Sequence, residues 1–182
     1  MSPFISIVIP FYGTADPVLL QRCLDSIRQQ GMEEGSYEII VADDNGKGLG
    51  GARNQGIRQA TGTYLMFVDA DDYLFPNLSY CFSYLLKYTP DICSFQMCEV
   101  NRAGVIPQSF NYKWEVYESG AEYMSKNNFM GTAWRHFFSR SFLNIHGLAF
   151  AESCFHEDED FVAKAYCLAS TTLITDYPVY AY

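Results

Sequence analysis

Three short, nearly continuous apolar runs near the N-terminus restrict the fold more than any other feature of the chain. Residues 5–9 (ISIVI), 37–42 (YEIIVA) and 64–68 (YLMFV) lack the polar alternation of a half-buried strand and are too short for buried helices. Strands of this kind are covered on both faces, as in a parallel sheet. Between the first two, Asp16 and Pro17 read as an N-cap and first helical position. Leu20, Cys23, Leu24 and Ile27 follow at helical spacing, and Gly31 closes the helix. A glycine-rich loop over 43–51 leads into a short helix over 52–60 before the third strand. This β-α-β-α-β order predicts an α/β fold, a Rossmann-like and mostly parallel open sheet with helices on both faces. Ligands bind such sheets beyond the carboxyl ends of the strands, so residues 10–12, 43–45 and 69–72 are where chemistry is expected.

The remainder is more mixed. Pro76 opens a helix with Leu78, Cys81, Phe82 and Leu85 on one face. Residues 92–100 and 105–110 read as a hairpin turning at 101–104. Ser119 and Glu122 have capping-box spacing for a helix over 120–127. A strand near 132–138, helical turns near 140–145, a helix near 159–169 and a strand pair near 171–181 complete the chain. With no linker, repeat or low-complexity segment, 182 residues make a single domain.

Charge narrows the partners. Twelve basic against 21 acidic residues leave a net charge of −9, the wrong sign for a nucleic-acid binder. An acidic protein that handles phosphates needs a divalent cation or a few well-placed arginines. The six cysteines form no CxxC pair and no zinc spacing with histidine, so they read as reduced thiols in a cytosolic protein. No basic leader precedes the first strand, and no apolar run approaches the roughly 20 residues of a bilayer span. A cytoplasmic protein, soluble or peripherally attached to the inner face of the membrane, is expected.

The strand ends carry the chemistry. Asp69, Asp71 and Asp72 crowd together after the third strand. Neighbouring carboxylates repel, and a hard cation such as Mg²⁺ or Mn²⁺, bound through one or two of them plus substrate phosphates, removes that cost. A solvated acidic turn is the plain alternative. Asp43 and Asp44 end the second strand, where a carboxylate can accept a hydrogen bond from a nucleobase or simply cap a turn. Tyr12 can stack on a base or fill a loop. Arg53, after Gly50 and Gly51, is read as a phosphate-binding cation at a helix N-terminus, or as a surface arginine paired with an Asp. The run His156-Glu157-Asp158-Glu159-Asp160 either complements a helix dipole or supplies a general base.

Taken together, these residues resemble the inverting glycosyltransferase family 2, with its GT-A fold. Residues 6–12 (SIVIPFY) resemble the family's opening strand, and 24–27 with Gln30 its first helix. Residues 40–45 (IVADDN) resemble its nucleotide-binding strand end, and 52–57 (ARNQGI) with Ala60 and Gly62 the helix before its metal motif. Residues 67–72 (FVDADD) are similar to the DxD motif, and 133–143 with Glu157, Asp158 and Phe161 to the acceptor side. The resemblance implies that Pro10 and Tyr12 border the base, Asp44 bonds its ring N–H, Asp69 contacts the ribose and Asp71 holds Mn²⁺ or Mg²⁺. It further implies that Asp158 is the base that deprotonates an acceptor hydroxyl, and that Arg53 and the metal stabilise the departing diphosphate. Glu157 and Trp134 are acceptor-side candidates, with burial in the core as the alternative for Trp134. Residues 1–100 would form the nucleotide-sugar half and 101–182 a smaller, mixed α/β acceptor half. The expected donor is a nucleotide-sugar, UDP-linked by preference. The expected acceptor is a carbohydrate or lipid-linked sugar in cell-surface polysaccharide synthesis.

Two departures stand out. Only residues 46–51 separate the Asp-Asp strand end from the Ala-Arg-Asn helix, which leaves the nucleotide pocket more open. Residues 177–182 resemble a segment that normally continues, so truncation at the C-terminus is expected. Competing readings are weaker. Residues 46–51 (GKGLGG) fit the G-x-G-x-x-G of an NAD(P)-dependent oxidoreductase, but Asp43, Asp44 and Asn45 intervene between strand and glycines. A haloacid-dehalogenase-like phosphatase needs Thr or Val where Tyr73 stands. A sugar-nucleotide-binding domain without catalysis would not need the Glu157-Asp158 pair.

Overall fold

A computed structural model of the protein describes residues 2–11, 16–76, 78–101, 104–106 and 108–182. In chain order the elements are β1 (Ile5–Phe11), α1 (Pro17–Arg28), β2 (Tyr37–Asp43), α2 (Gly48–Gln59), β3 (Tyr64–Phe67), β4 (Tyr73–Leu74) and α3 (Ser79–Tyr88). Then come β5 (Ile92–Cys98), β6 (Val100–Asn101), β7 (Gly104–Val105), β8 (Trp114–Tyr117), α4 (Gly120–Lys126), a 3-10 turn (Ala133–Arg135), β9 (His136–Ser139), α5 (Arg140–Ile145), α6 (Glu157–Leu168) and β10 (Thr172–Ala181).

The main sheet runs β2-β1-β3-β9-β5-β10-β4, with β8 also paired to β10. β1 is parallel to both β2 and β3, and β5 to β10. β9 lies antiparallel between β3 and β5, so the sheet is mixed at its centre and mostly parallel elsewhere. Both faces are covered, as the apolar runs require. Ile5, Ile7 and Ile9 of β1 face Cys23 and Ile27 of α1, Cys81 and Leu85 of α3, and Leu78 just before α3. Val8 points the other way, into a second layer with Phe67, Phe138, Phe150, Phe161 and Val162. The strand's two-residue period divides one run between two cores.

Local signals held where the chemistry is local. Asp16 caps α1, accepting the Val18 N–H at 2.8 Å, and Ser119 caps α4, accepting the Glu122 N–H at 3.0 Å. The first helix stops at Arg28, three residues before Gly31, whose φ of +66° then turns the chain.

Three expectations need correction. Helix α2 begins at Gly48, not at residue 52, so Gly50 and Gly51 are helical. A Cβ on Gly50 would lie 2.1 Å from the Ala151 carbonyl oxygen; the glycines are contact points, not a free loop. The expected hairpin shrinks to the β6–β7 ribbon, with its turn residues Arg102 and Ala103 outside the described residues. Past it, the Asp176 carboxylate accepts the N–H groups of Asn111 (2.6 Å) and Lys113 (2.7 Å) and draws that segment to β10. Finally, 172–181 is one strand, not two. Its register against β5 shifts on either side of Pro178, which has no N–H to give the ladder. There its other neighbour changes from β8 to β4.

All six cysteines are free thiols, four of them buried; burial pushes Cys23 and Cys81 up to about 12. Among the described residues no helix is long and apolar enough to cross a membrane.

Gly56 of α2 sits against β1, where a Cβ would meet Val8 Cγ1 at 2.1 Å. Helix propensity alone would favour Ala by about 1 kcal/mol. Overpacking a fully buried contact costs about 1–3 kcal/mol and wins. Gly56→Ala is therefore expected to lower the urea midpoint with an unchanged m-value.

Candidate active site at the carboxyl edge of the sheet

β1, β2 and β3 end side by side and deliver Pro10, Asp44 and residues 69–72 to one edge. After β3 the chain turns tightly, the Asp72 N–H donating to the Asp69 carbonyl at 3.0 Å. One hydroxyl fixes this turn from outside. Tyr180 of β10 accepts the Asp69 N–H at 3.0 Å and donates to Asp72 Oδ2 at 2.8 Å. Arg22 of α1 closes the other side, its guanidinium 4.9 Å from the centre of the Tyr73 ring and donating to the Asp71 carbonyl. Burial, with the Asp69 and Asp71 charges adding to it against the Tyr180 hydrogen bond, pushes the Asp72 carboxyl up to about 7.

Behind the turn lies Arg53. Because α2 starts at Gly48, residue 53 sits well inside the helix and faces inward. Its side chain is 2% exposed, with Nη1 donating to Glu157 Oε1 at 2.8 Å and Nη2 to Asp69 Oδ1 at 3.0 Å. The guanidinium lies 5.4 Å from the centre of the Phe150 ring. This corrects the expectation of a phosphate-gripping arginine at a helix N-terminus: its charge is spent inside the protein. Glu157 is likewise corrected. Its side chain is 8% exposed and bound to Arg53, so it does not face an acceptor.

The pair brings the start of α6 to the same edge, and with it Asp158, the next residue, half-buried in the first helical turn. Asn54 supports that arrangement. It donates to the Phe150 carbonyl at 2.9 Å and accepts the Phe150 N–H at 2.8 Å, holding the chain that leads into α6. Asp44 is half-buried and caps the approach to α2, its two oxygens each accepting an N–H at 3.1 Å, from Gly46 and Gly48. Each carboxylate oxygen has a further lone pair, so capping does not preclude a bond to a base. Pro10 is buried, paired with Ala42. Tyr12 lies outside the described residues. Trp134 is 6% exposed and stacks on Tyr180 and Tyr182 at 4.5 and 5.3 Å, so it backs the acid turn and offers no open face for a sugar. His136 is no rival as a base: burial first, then the Arg135 charge, push it down to about 3.

Tyr180 and Arg22 are functional candidates that sequence reasoning missed. Tyr180 stands 108 residues from Asp72, and nothing local marks either residue.

Among the described residues no three His, Cys, Asp or Glu side chains form a ready-made metal cage. The oxygen donors still fit a hard divalent cation that takes one or two carboxylates and fills its shell from a bound diphosphate. Asp71 is exposed on the turn, whereas Asp69 is shared with Arg53.

Comparison with known proteins supports the fold and defines the family. A mostly parallel sheet with one reversed strand at its centre is the GT-A arrangement, and solved structures of that fold superpose on the whole chain. Staphylococcus aureus TarS 1-349 in complex with UDP-GlcNAc matches with a TM-score of 0.81 at 22% identity, over 100% of this chain and 58% of that one. A mannosyltransferase from Pyrobaculum calidifontis, in complex with GDP-Man and Mn²⁺, matches with a TM-score of 0.67 at 15% identity, over 100% of this chain and 57% of that one. The family model described as glycosyl transferase family 2 matches residues 6–47 and 44–144. The chain belongs to glycosyl transferase family 2. Among curated relatives, the uncharacterized glycosyltransferase EpsJ of Bacillus subtilis is 28% identical across 100% of this chain and 61% of its own length. A poly(ribitol-phosphate) beta-glucosyltransferase of Bacillus spizizenii is 37% identical over 97 residues, 38% of this chain and 15% of its own. The chain thus spans about three fifths of the full-length curated matches.

Two measurements probe the site without substrate. Removing one member of a buried ion pair leaves a charge without its partner and costs about 3–5 kcal/mol. Arg53→Met is expected to lose that much in denaturant melts, since it strands both Asp69 and Glu157. The second is pH. Asp72 binds its proton more tightly in the folded state, at about 7, than at its ordinary 3.8. Its contribution to stability is complete in acid below the ordinary value and disappears as pH rises through about 7. Asp72→Asn should therefore raise the Tm of the metal-free protein at about pH 8, with the gain vanishing towards about pH 4.

Proposed function

We propose that this chain is the donor-binding and catalytic part of an inverting, metal-dependent glycosyltransferase that transfers a sugar from a UDP-sugar to a hydroxyl of a carbohydrate acceptor in cell-surface polysaccharide assembly. The observation that carries the reading is the link Asp69–Arg53–Glu157. It joins the acid turn, where a donor diphosphate would sit, to the helix end that carries Asp158, the base an acceptor would need. Likeness to proteins crystallised with UDP-GlcNAc and with GDP-Man and Mn²⁺ supports a nucleotide-sugar donor and a divalent ion. Likeness to a poly(ribitol-phosphate) beta-glucosyltransferase supports a polymeric acceptor.

In this mechanism Pro10 and Tyr12 border the base and Asp44 accepts its ring N–H. Asp69 receives a ribose hydroxyl, with the oxygen that Arg53 leaves available. Asp71 would hold Mn²⁺ or Mg²⁺, which supplies positive charge where the leaving diphosphate becomes more negative. Asp158 takes the proton of the acceptor hydroxyl as that oxygen bonds to the anomeric carbon. The carbon–oxygen bond to the diphosphate breaks on the opposite face, so configuration inverts. Arg53 acts through Asp69 and Glu157, as a positioning residue. The dinucleotide alternative fits poorly with Gly50 and Gly51 packed inside α2, where a Cβ would strike Ala151 or Lys47.

Thermal-shift titration separates these readings. A ligand that binds only the folded state stabilises it by about 2.7 kcal/mol at a hundred times its Kd. UDP should raise the Tm only with Mn²⁺, and Asp71→Asn should abolish the rise. Asp158→Asn should still bind UDP with Mn²⁺ yet lose turnover by about 10²–10⁴. A shift with NAD that ignores Mn²⁺ would overturn the transferase reading, and undiminished turnover in Asp158→Asn would remove that residue from the mechanism.

A further inference from the structure

Away from the acid turn, the face formed by α3, β8, β10 and the segment before β8 carries a band of aromatic rings. Tyr84 stacks on Trp114 at 3.9 Å with the planes 6° apart, and Tyr80 lies 4.7 Å from Tyr177. Tyr112 continues the band, 5.7 Å from Tyr177, and Phe110 lies 6.4 Å beyond it. Beside them runs an open groove of about 1030 Å³, walled by Phe75, Pro76, Tyr80, Phe110, Tyr112 and Tyr177. Tyr80 and Tyr112 are 40% and 54% exposed, large rings left facing water.

Three features distinguish this groove from an incidental patch. It is held in shape: Asp176 accepts the N–H groups on either side of Tyr112, which is fixed at a φ of +53°, a conformation costly for a large side chain. It is uncharged: in a protein of net charge −9, no acidic or basic side chain lines it among the described residues. It adjoins the candidate active site. Phe75 follows β4 and donates its N–H to the Val179 carbonyl at 2.9 Å, next to the Tyr180 whose hydroxyl holds Asp69 and Asp72.

Flat aromatic faces beside phenol and amide groups, without charge, suit the two-sided chemistry of a neutral sugar, with apolar C–H faces and hydroxyl edges. Among the described residues, the groove's lining offers an anionic polymer no cation and a cationic one no carboxylate. We propose that this groove is a second carbohydrate site that holds neutral sugar units of the acceptor chain outside the reaction centre. That the bound chain is the acceptor rests on the transferase reading above; that the groove takes neutral glycans does not.

The test uses the whole chain and the fluorescence of Trp114, taken as the difference from a Trp114→Phe control that reports Trp134 alone. Cellopentaose, maltopentaose, mannopentaose and chitopentaose are the neutral probes, with a galacturonate pentamer as the anionic one. At least one neutral glycan should give a saturable change at millimolar concentration, and the galacturonate should give none. Tyr80→Ala and Tyr112→Asn (Asn tolerates the positive φ) should each weaken it about tenfold, with Tyr80→Phe restoring most of the loss. Both variants should keep the UDP and Mn²⁺ thermal shift, so a failed groove is distinguishable from a failed donor site. No saturable change with any neutral glycan, an equal response to galacturonate, or unaltered binding in both variants would overturn the proposal. So would sedimentation showing a dimer that Tyr112→Asn dissolves, since the occupant would then be a second copy of the chain.

Discussion

One buried guanidinium holds the candidate active site together. Arg53 is enclosed in α2 and reaches Asp69 at the end of β3 and Glu157 at the start of α6, elements that no local contact would bring to a common edge. An arginine in such surroundings is costly unless paired, and its planar fork offers two directions at once. The two carboxylates pair its terminal nitrogens and leave Nε buried without a partner, and the same pairing fixes their own positions. The helices depend on this arrangement too. Gly50 lets α2 approach the chain leading into α6, and Asn54, one helical turn along, bonds both backbone groups of Phe150.

The acid turn is built on a different principle. Arg53 takes up Asp69, while burial and the neighbouring charges push Asp72 up to about 7. Tyr180 accepts the Asp69 N–H and donates to the Asp72 carboxylate, and Arg22 donates to the Asp71 carbonyl, so the turn is held from both sides. On the proposed function, a turn held this way with the Asp71 carboxylate exposed would take up a cation that arrives with its substrate, since relief of the remaining repulsion appears only on binding.

Much of this was legible in the sequence where the determinant is short-range. The apolar runs gave β1, β2 and β3, and Asp16 with Pro17 gave the start of α1. The acids at 69–72 were placed at a strand end. What failed did so for physical reasons. Glycines at 50 and 51 suggest a loop by propensity, yet tertiary contact needs them inside a helix, where only a missing Cβ allows the approach. The four residues of β9 carry no sign of strand direction, so the reversed strand was invisible. Residues 172–181 look like two strands because Pro178 interrupts a ladder that in fact continues.

By itself the sequence determined which residues fall at the carboxyl ends of β1, β2 and β3, since strand period, capping and turn chemistry act over a few residues. Only the tertiary structure decided what each of them does there. Arg53 could equally have faced a phosphate, and Glu157 and Trp134 an acceptor, until the closing of the sheet set their partners. Arg53 and Glu157 meet across 104 residues, and Tyr180 and Asp72 across 108. Contacts over such separations are selected by the packing of whole elements, and the choice leaves no local pattern to read.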